Sequence, residues 1–354
     1  MAVLPTTCRE LMGAAAFFDA VRERFCEAAA SGASARAYRI GDRPVLLLFA
    51  SEELEAILTP ALEHLAVDLV LAEPPSLKVF LFDTAATGVA PPPPEWEADS
   101  YGVRGEIAGY NTERIRTVYQ PGSDVLLLFD RERREAIYWT AKAANVPYWE
   151  SSFPLRTIFH WWLEEWDDQP VHGAAVGLES GGVLIAGPSG SGKSTTSLAC
   201  LDGPLRYAGD DYVLVRHTPP CVYSLYGTAK VEGSNLERFP QLAGLVSNPG
   251  RAADEKALIY VNRAAPERMI SGFPLRAILV PRVTGRRDTA LRQTGAGEAF
   301  RALAPTTLFQ LPGGGRRAFD KMSALVRRVP VYLLEAGTDL PQIPAAITAL
   351  LESR

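Results

Sequence analysis

Hydrophobic positions in the first 150 residues alternate between helical and strand-like spacing. Apolar residues three and four apart over residues 11–31 predict an amphipathic helix. A second helix is predicted after Ser51, whose hydroxyl can cap its first turn. Short apolar runs predict strands at 38–49, 77–82, 115–119, 125–129 and 136–140. This mixture predicts an α+β domain over residues 1–150, with a role in recognition or assembly.

Strands and helices alternate after residue 150, which is typical of an α/β domain. Strands are predicted at 171–176, 183–186, 212–216, 221–226, 258–261, 277–283 and 331–334. Helices are predicted at 155–166, 193–201, 298–303, 319–328 and 343–351. We interpret the aromatic cluster on the first of these helices as a core or interdomain stripe rather than a ligand platform. It contains Phe159, Trp161, Trp162 and Trp166.

Composition and charge restrict the function classes. The chain has 354 residues, of which 36 are basic and 41 acidic, for a net charge of −5, so no basic face for nucleic acid is expected. No apolar run approaches the roughly 20 residues of a membrane helix, and the N-terminal residues do not resemble a secretion signal. The four cysteines lie far apart, which argues against a disulfide framework or a zinc site. We expect a cytoplasmic protein with neither a membrane nor a nucleic-acid partner.

A phosphate-binding loop is the most specific motif. The segment from Gly187 to Thr195 fits GxxxxGK[ST] and lies between a predicted strand and a predicted helix. Glycines let the backbone NH groups approach phosphates, the lysine adds a positive charge, and the hydroxyl of Ser194 can bind Mg²⁺. We predict ATP binding by Gly187, Ser189, Gly190, Ser191, Gly192, Lys193, Ser194 and Thr195.

A pair of carboxylates, Asp210 and Asp211, follows seventeen residues after Lys193. Most P-loop ATPases place an aspartate at the end of an apolar strand, whereas this pair precedes the apolar run 212–215. Adjacent carboxylates can divide the work, one binding Mg²⁺ and the other accepting a proton from an attacking hydroxyl. A like-charged neighbour and burial would raise one of the two pKa values, as a general base requires.

The order of His172-Gly173, the P-loop and Ala208-Gly209-Asp210-Asp211 resembles the catalytic domain of the HPr kinase/phosphorylase family. That family shares its core with the ATP-dependent PEP carboxykinases, so the resemblance implies an α/β, P-loop, PEP carboxykinase/HPr kinase-like catalytic domain over 151–354. It is most specific over 172–215. Segments near 273–280 and 329–334 are also similar to divergent relatives linked to biosynthesis, some of which phosphorylate serine on peptides.

The resemblance implies roles for individual residues. Lys193 and Ser194 would hold phosphates and Mg²⁺, and Asp210 would act as the base toward a serine hydroxyl. Asp211 would assist through metal or hydrogen bonding. His172 matches a histidine beside the family's active site, although a lone histidine at a strand start is as readily structural.

The chain departs from the family after the aspartates. The signature of the dual-function members, with its glutamate metal ligand, is replaced by Tyr226-Gly-Thr-Ala-Lys230-Val-Glu232-Gly. We predict Glu232 as the replacement metal ligand and Lys256 as a neutralising charge on the transferred phosphoryl group. The missing signature argues against phosphorylase activity and against recognition of HPr itself.

The sequence therefore predicts a Mg²⁺-ATP-dependent kinase that phosphorylates a hydroxyl, serine or threonine, of a protein or peptide. Two alternatives stay open, namely a kinase for a small metabolite alcohol and an ATP-binding regulatory or assembly protein without turnover. The resemblance also implies a homo-oligomer. Gly313-Gly314-Gly315-Arg316-Arg317 could form a second anion-binding loop, but we interpret it as a surface loop.

Overall fold

The computed structural model describes residues 13–69, 73–94, 96–97, 100–252, 254–308, 312 and 315–353. Within these residues the fold is mixed α/β, with two large sheets and one two-stranded sheet. All strands of the first large sheet precede residue 141, and all strands of the second follow residue 167. The boundary predicted at residue 150 lies between these sheets.

The first sheet is seven-stranded in the described part of the chain, in the order β3-β1-β2-β4-β7-β6-β5. Its strands are β1 Ser34–Ile40, β2 Arg43–Phe49, β3 Ala66–Val67, β4 Leu77–Asp83, β5 Ile115–Gln120, β6 Val125–Asp130 and β7 Glu135–Thr140. Strands β2, β4 and β7 run parallel, and β5, β6 and β7 form an antiparallel meander.

The second half contributes the P-loop sheet, in the order β11-β9-β10-β16-β13-β12-β8, with β18 pairing β16 and β17 pairing β18. Strands β14 and β15 pair with each other. The bounds are β8 Asp168–Val171, β9 Ala174–Leu178, β10 Gly181–Ile185, β11 Arg206–Gly209, β12 Val213–His217, β13 Pro220–Tyr223, β14 Thr228–Val231, β15 Ala257–Tyr260, β16 Gly272–Val283, β17 Ala290–Thr294 and β18 Val331–Ala336.

The helices cover the faces and edges of these sheets. They are α1 Ala14–Ala28, α2 Glu52–Leu58, α3 Thr84–Thr87, α4 Tyr148–Ser152, α5 Arg156–Leu163, α6 Lys193–Ala199, α7 Gly233–Leu236, α8 Val261–Ala264, α9 Ala296–Leu308, α10 Arg316–Arg328 and α11 Gln342–Glu352. Ser51 caps α2 as predicted, accepting a hydrogen bond from the Leu54 amide. No helix among the described residues is long and apolar enough to span a membrane.

Two predicted strands are each two strands in the structure. The segment 38–49 turns at residues 41–42, so that β1 and β2 form an antiparallel hairpin. The segment 171–176 breaks at His172 and Gly173, which separates β8 from β9. Both breaks contain a glycine beside a polar residue, Gly41-Asp42 and His172-Gly173, and both predictions were wrong because this turn signal was given less weight than the apolar positions on either side.

The two halves share a hydrophobic core. Buried residues of the first half, such as Leu62 and Tyr138, belong to the same cluster as Trp162 and Tyr226 of the second. Phe159, Trp161 and Trp162 are each at most 2% exposed, which confirms the core interpretation for these three. Trp166 lies beyond the end of α5 and is only partly buried against the same core, so the predicted helix extends too far. The Trp162 indole NH also donates to the Ser76 carbonyl at 3.1 Å, so the halves are joined by polar contacts as well.

Candidate active site

The predicted P-loop connects the end of β10 to the start of α6, as its motif requires. Gly192 precedes the helix with φ 101°, a conformation that L-residues with side chains rarely adopt. Ser189 and Gly190 are exposed at the tip of the loop, whereas Gly187 is buried at its base. The loop therefore presents its backbone to solvent in the arrangement that binds phosphate.

Lys193 is folded back on the P-loop. Its ammonium group donates to the carbonyl of Gly187 at 2.9 Å and to that of Pro188 at 3.1 Å, and the residue is 6% exposed. Burial lowers the pKa of Lys193, while the charges of Asp210 and Asp211 oppose that shift. The lysine thus lies between the loop that would hold phosphates and the aspartate pair.

His172 and Gly173 form the short connection between β8 and β9. A side chain at position 173 would lie 2.8 Å from the Ile185 carbonyl oxygen, so only glycine fits against the end of β10. The Gly173 amide donates to the Asp211 carbonyl at 3.1 Å. This close approach brings His172 to the aspartate pair, and its ring stacks on Tyr212 at 5.3 Å between centroids.

The aspartate pair follows β11 and precedes β12. The pair precedes an apolar strand, as expected, but it also follows the four-residue strand β11, which was not predicted because so short a segment shows no clear pattern. Asp211 adopts φ 61°, a left-handed conformation that turns the two carboxylates into different surroundings.

Asp210 is fully buried, and neither of its carboxylate oxygens has a hydrogen-bond partner that meets ordinary distance and angle limits. Burial and the neighbouring charge of Asp211 raise the pKa of Asp210 to about 6, although Ser194 and Lys193 act in the opposite direction. A fully buried carboxylate is costly when charged, and a metal ion or an accepted proton would reduce that cost.

Asp211 has the opposite environment. Burial alone would raise its pKa, but the hydrogen bond with His172 and the charge of Lys230 hold the pKa of Asp211 well below its ordinary value. One carboxylate oxygen lies 3.2 Å from His172 Nε2, and the other lies 3.2 Å from the ammonium group of Lys230. The two adjacent aspartates are thus electrostatically distinct.

A cleft of about 380 Å³ lies over the P-loop and Asp211. The predicted residues His172, Lys193, Ser194, Glu232 and Lys256 line it, so the fold brings them together. Glu232 and Lys256 form a half-exposed ion pair at 3.6 Å. Asp210 is not part of the lining, because it lies beneath the loop.

The cleft also contains residues to which the sequence interpretation gave no role, including Arg156, Lys230 and Tyr212. Lys230 lies on β14 and packs 4.2 Å from the centre of the Phe153 ring, in addition to its contact with Asp211. The sequence pattern could have indicated Lys230 as a site residue, because it is the only charged residue in the segment 228–231. Burial lowers the pKa of Lys230, and Asp211 partly opposes this shift.

Comparison with known proteins supports the resemblance, although no protein-family model matches the chain. HPr kinase/phosphorylases from three strains of Streptococcus agalactiae are each 25% identical over 222 residues, covering 54% of this chain and 69% of the relative. The Hpr(Ser) kinase/phosphatase from Coxiella burnetii has a TM-score of 0.31 and 14% identity, covering 52% of this chain and 97% of that one. The sequence similarity confirms the resemblance to HPr kinase/phosphorylases.

Proposed function

We propose that the protein is an ATP-dependent kinase that transfers the γ-phosphoryl group to a serine or threonine hydroxyl of a protein or peptide. The observation that carries this proposal is a cleft lined by both the P-loop and the His172-Asp211-Lys230 group, with the buried carboxylate of Asp210 next to Asp211 in the chain. The similarity to proteins named HPr kinase/phosphorylases supports the reaction class.

The P-loop amides and Lys193 bind the phosphates in this proposal. The ammonium group of Lys193 exchanges the carbonyls of Gly187 and Pro188 for phosphate oxygens when ATP binds. Asp210 has no exposed surface, so the proposal requires a rearrangement on nucleotide binding that opens a path from the acceptor hydroxyl to its carboxylate. In-line attack then follows from positioning and charge stabilisation.

Asp210 fits the role of general base. Its raised pKa of about 6 allows it to be ionised at neutral pH and still basic enough to take the hydroxyl proton. Asp211 is instead held by His172 and Lys230, and we propose that it positions these two side chains toward the phosphoryl group. Lys256 at the rim adds a further positive charge.

The residues present also fit Mg²⁺. Mg²⁺ is usually bound by one or two carboxylates together with substrate phosphates rather than by a full protein cage. The described residues hold no cluster of three or more His, Cys, Asp or Glu side chains able to form such a cage. Ser194, Asp211 and Glu232, the predicted ligands, all line the cleft and would hold the ion, which leaves the carboxylate of Asp210 to accept the proton. When bound, Mg²⁺ neutralises charge on the phosphates.

The test is phosphoryl transfer from γ-labelled ATP in a host extract divided into macromolecular and small-molecule fractions. The wild type should label a protein or peptide. Asp210→Asn should bind ATP normally and lose transfer by about a hundredfold or more. Asp211→Asn is the matched control, and we expect a smaller loss.

Four outcomes contradict parts of the proposal. Label in small molecules alone identifies a metabolite kinase, and nucleotide binding without transfer to any fraction identifies a regulatory protein. Near-normal transfer by Asp210→Asn together with an inactive Asp211→Asn moves the base to Asp211. Unchanged nucleotide affinity in Lys193→Ala rejects the P-loop assignment.

A further inference from the structure

A second cavity lies between the two halves of the chain and shares no lining residue with the P-loop cleft. Its volume is about 370 Å³, which is in the range of small-molecule sites. The first half contributes Arg116 on β5 and Arg131 after β6. The second half contributes α5, β8 and the start of α10.

Two buried polar side chains on its wall lack hydrogen-bond partners. Gln169 is 3% exposed, and neither its amide nitrogen nor its amide oxygen has a partner. His160 is also 3% exposed, and its Nε2 has no hydrogen bond, since the nearest Glu164 oxygen lies 3.7 Å away. Burial, reinforced by nearby cations, lowers the pKa of His160 to about 4, so its ring is neutral at pH 7. Buried polar atoms are rarely unpaired, which points to a ligand here.

Basic side chains outnumber acidic ones on the wall of the cavity, and of the acidic ones only the exposed Glu113 has no ion pair among the described residues. Five basic and three acidic side chains line it. Asp168 is bound by Arg43 and Arg216, and Glu164 is paired with Arg131 at 2.8 Å. Among the described residues, Arg116 and Arg317 make no ion pair; Arg116 Nη1 donates to the Thr112 carbonyl at 3.1 Å, but its buried Nε has no hydrogen-bond partner. The remaining donors of the two guanidinium groups are therefore available to an anion.

Helix α10 begins at the same cavity. Gly315 precedes the helix without a side-chain cap, and residues 315–318 line the cavity. The free amides and positive dipole of a helix N-terminus favour an anion. Arg316 and Arg317 are thus the first residues of a helix and not part of a surface loop, so our interpretation of that segment was wrong; Gly313 and Gly314 lie outside the described residues.

We propose that this cavity binds a small oxyanion, a phosphate or carboxylate compound that also carries a hydroxyl group. The guanidinium groups and the α10 amides recognise the anionic oxygens. The Gln169 amide nitrogen donates to another ligand oxygen, and its amide oxygen accepts from the hydroxyl, since the rest of the wall offers mainly donors. Such a ligand joins the two halves. The inference does not depend on the kinase activity.

Thermal unfolding without nucleotide or Mg²⁺ tests this site, with inorganic phosphate and citrate as probes and chloride at equal ionic strength as reference. An anion present at ten times its dissociation constant should raise the Tm of the wild type by about 2 °C. Because phosphate also binds P-loops, Lys193→Ala is measured in parallel and should keep the shift. Citrate, which carries the hydroxyl, should act at lower concentration than phosphate.

Arg116→Ala and Gln169→Leu should each raise the dissociation constant obtained from the Tm shifts about tenfold or more. Arg292→Ala, which removes a 63% exposed arginine outside the cavity, should respond like the wild type. If Gln169→Leu does not fold, Arg317→Ala replaces it. A shift that is lost in Lys193→Ala and kept in Arg116→Ala places the anion at the P-loop only. An equal shift in all variants is a general ionic effect, and either result, or no shift, overturns the proposal.

Discussion

The ammonium group of Lys230 lies 3.2 Å from a carboxylate oxygen of Asp211, and the side chains are 15% and 14% exposed. The contact connects β14, which belongs to the two-stranded sheet, to the turn between β11 and β12 of the P-loop sheet. It also keeps Asp211 ionised, because the positive charge stabilises the carboxylate against the cost of burial.

Replacement of Lys230 by methionine should therefore destabilise the protein. A buried charge left without its partner costs about 3 kcal/mol, and urea unfolding at pH 7 measures the loss. Lys256→Met is the matched control, because its pair with Glu232 is half-exposed and should cost less than about 1 kcal/mol. Equal losses of unfolding free energy in the two variants would show that the buried Lys230–Asp211 pair contributes no more to stability than the half-exposed Lys256–Glu232 pair.

Asp210 should make the stability depend on pH. Its folded-state pKa of about 6 lies above the unfolded value of about 3.9, so the folded state binds the proton more tightly. The stability that this provides is present below about pH 4 and is lost as the pH rises through 6.

Asp210→Asn mimics the protonated acid and should lack this dependence. Between pH 4 and pH 7 the wild type should lose about 2 kcal/mol relative to Asp210→Asn, which denaturant unfolding at each pH can follow. A constant difference between the two proteins over this range would contradict the raised pKa.

The rate of phosphoryl transfer should also depend on Asp210. If its carboxylate is the base, kcat/KM should fall about tenfold per pH unit below pH 6. The ATP dissociation constant, measured over the same pH range, separates chemistry from binding. Asp211 is ionised throughout, so a flat profile from pH 5 to 8 would favour Asp211 as the base.

A buried ion-pair group holds the two halves together. Asp168 has no exposed surface and is bound by Arg43 of the first half and Arg216 of the second, the latter at 2.8 Å. Asp168→Ala would leave two arginines without their carboxylate and should cost about 3 to 5 kcal/mol in unfolding free energy. The neighbouring Asp167 is 49% exposed, so Asp167→Ala should change stability by less than about 1 kcal/mol. Similar losses at both positions would argue against this link.

The sequence alone determined the parts of the site that depend on local geometry. The P-loop could be identified because its glycines, lysine and hydroxyl act within nine consecutive residues, between an apolar strand and a helix. Strand β6 was predicted from its continuous apolar run, and α10 from its amphipathic spacing, because both signals lie within one short segment.

Tertiary structure decided what depends on residues far apart in sequence. Lys230 reaches Asp211 only because β14 packs beside the P-loop, and no periodicity marks a single contact of this kind. The opposite pKa shifts of two adjacent aspartates arise from burial and from His172, thirty-nine residues away from Asp211. The cavity with Gln169 exists only where the halves meet. Sequence specifies local conformation, but burial and charge pairing are properties of the packed chain.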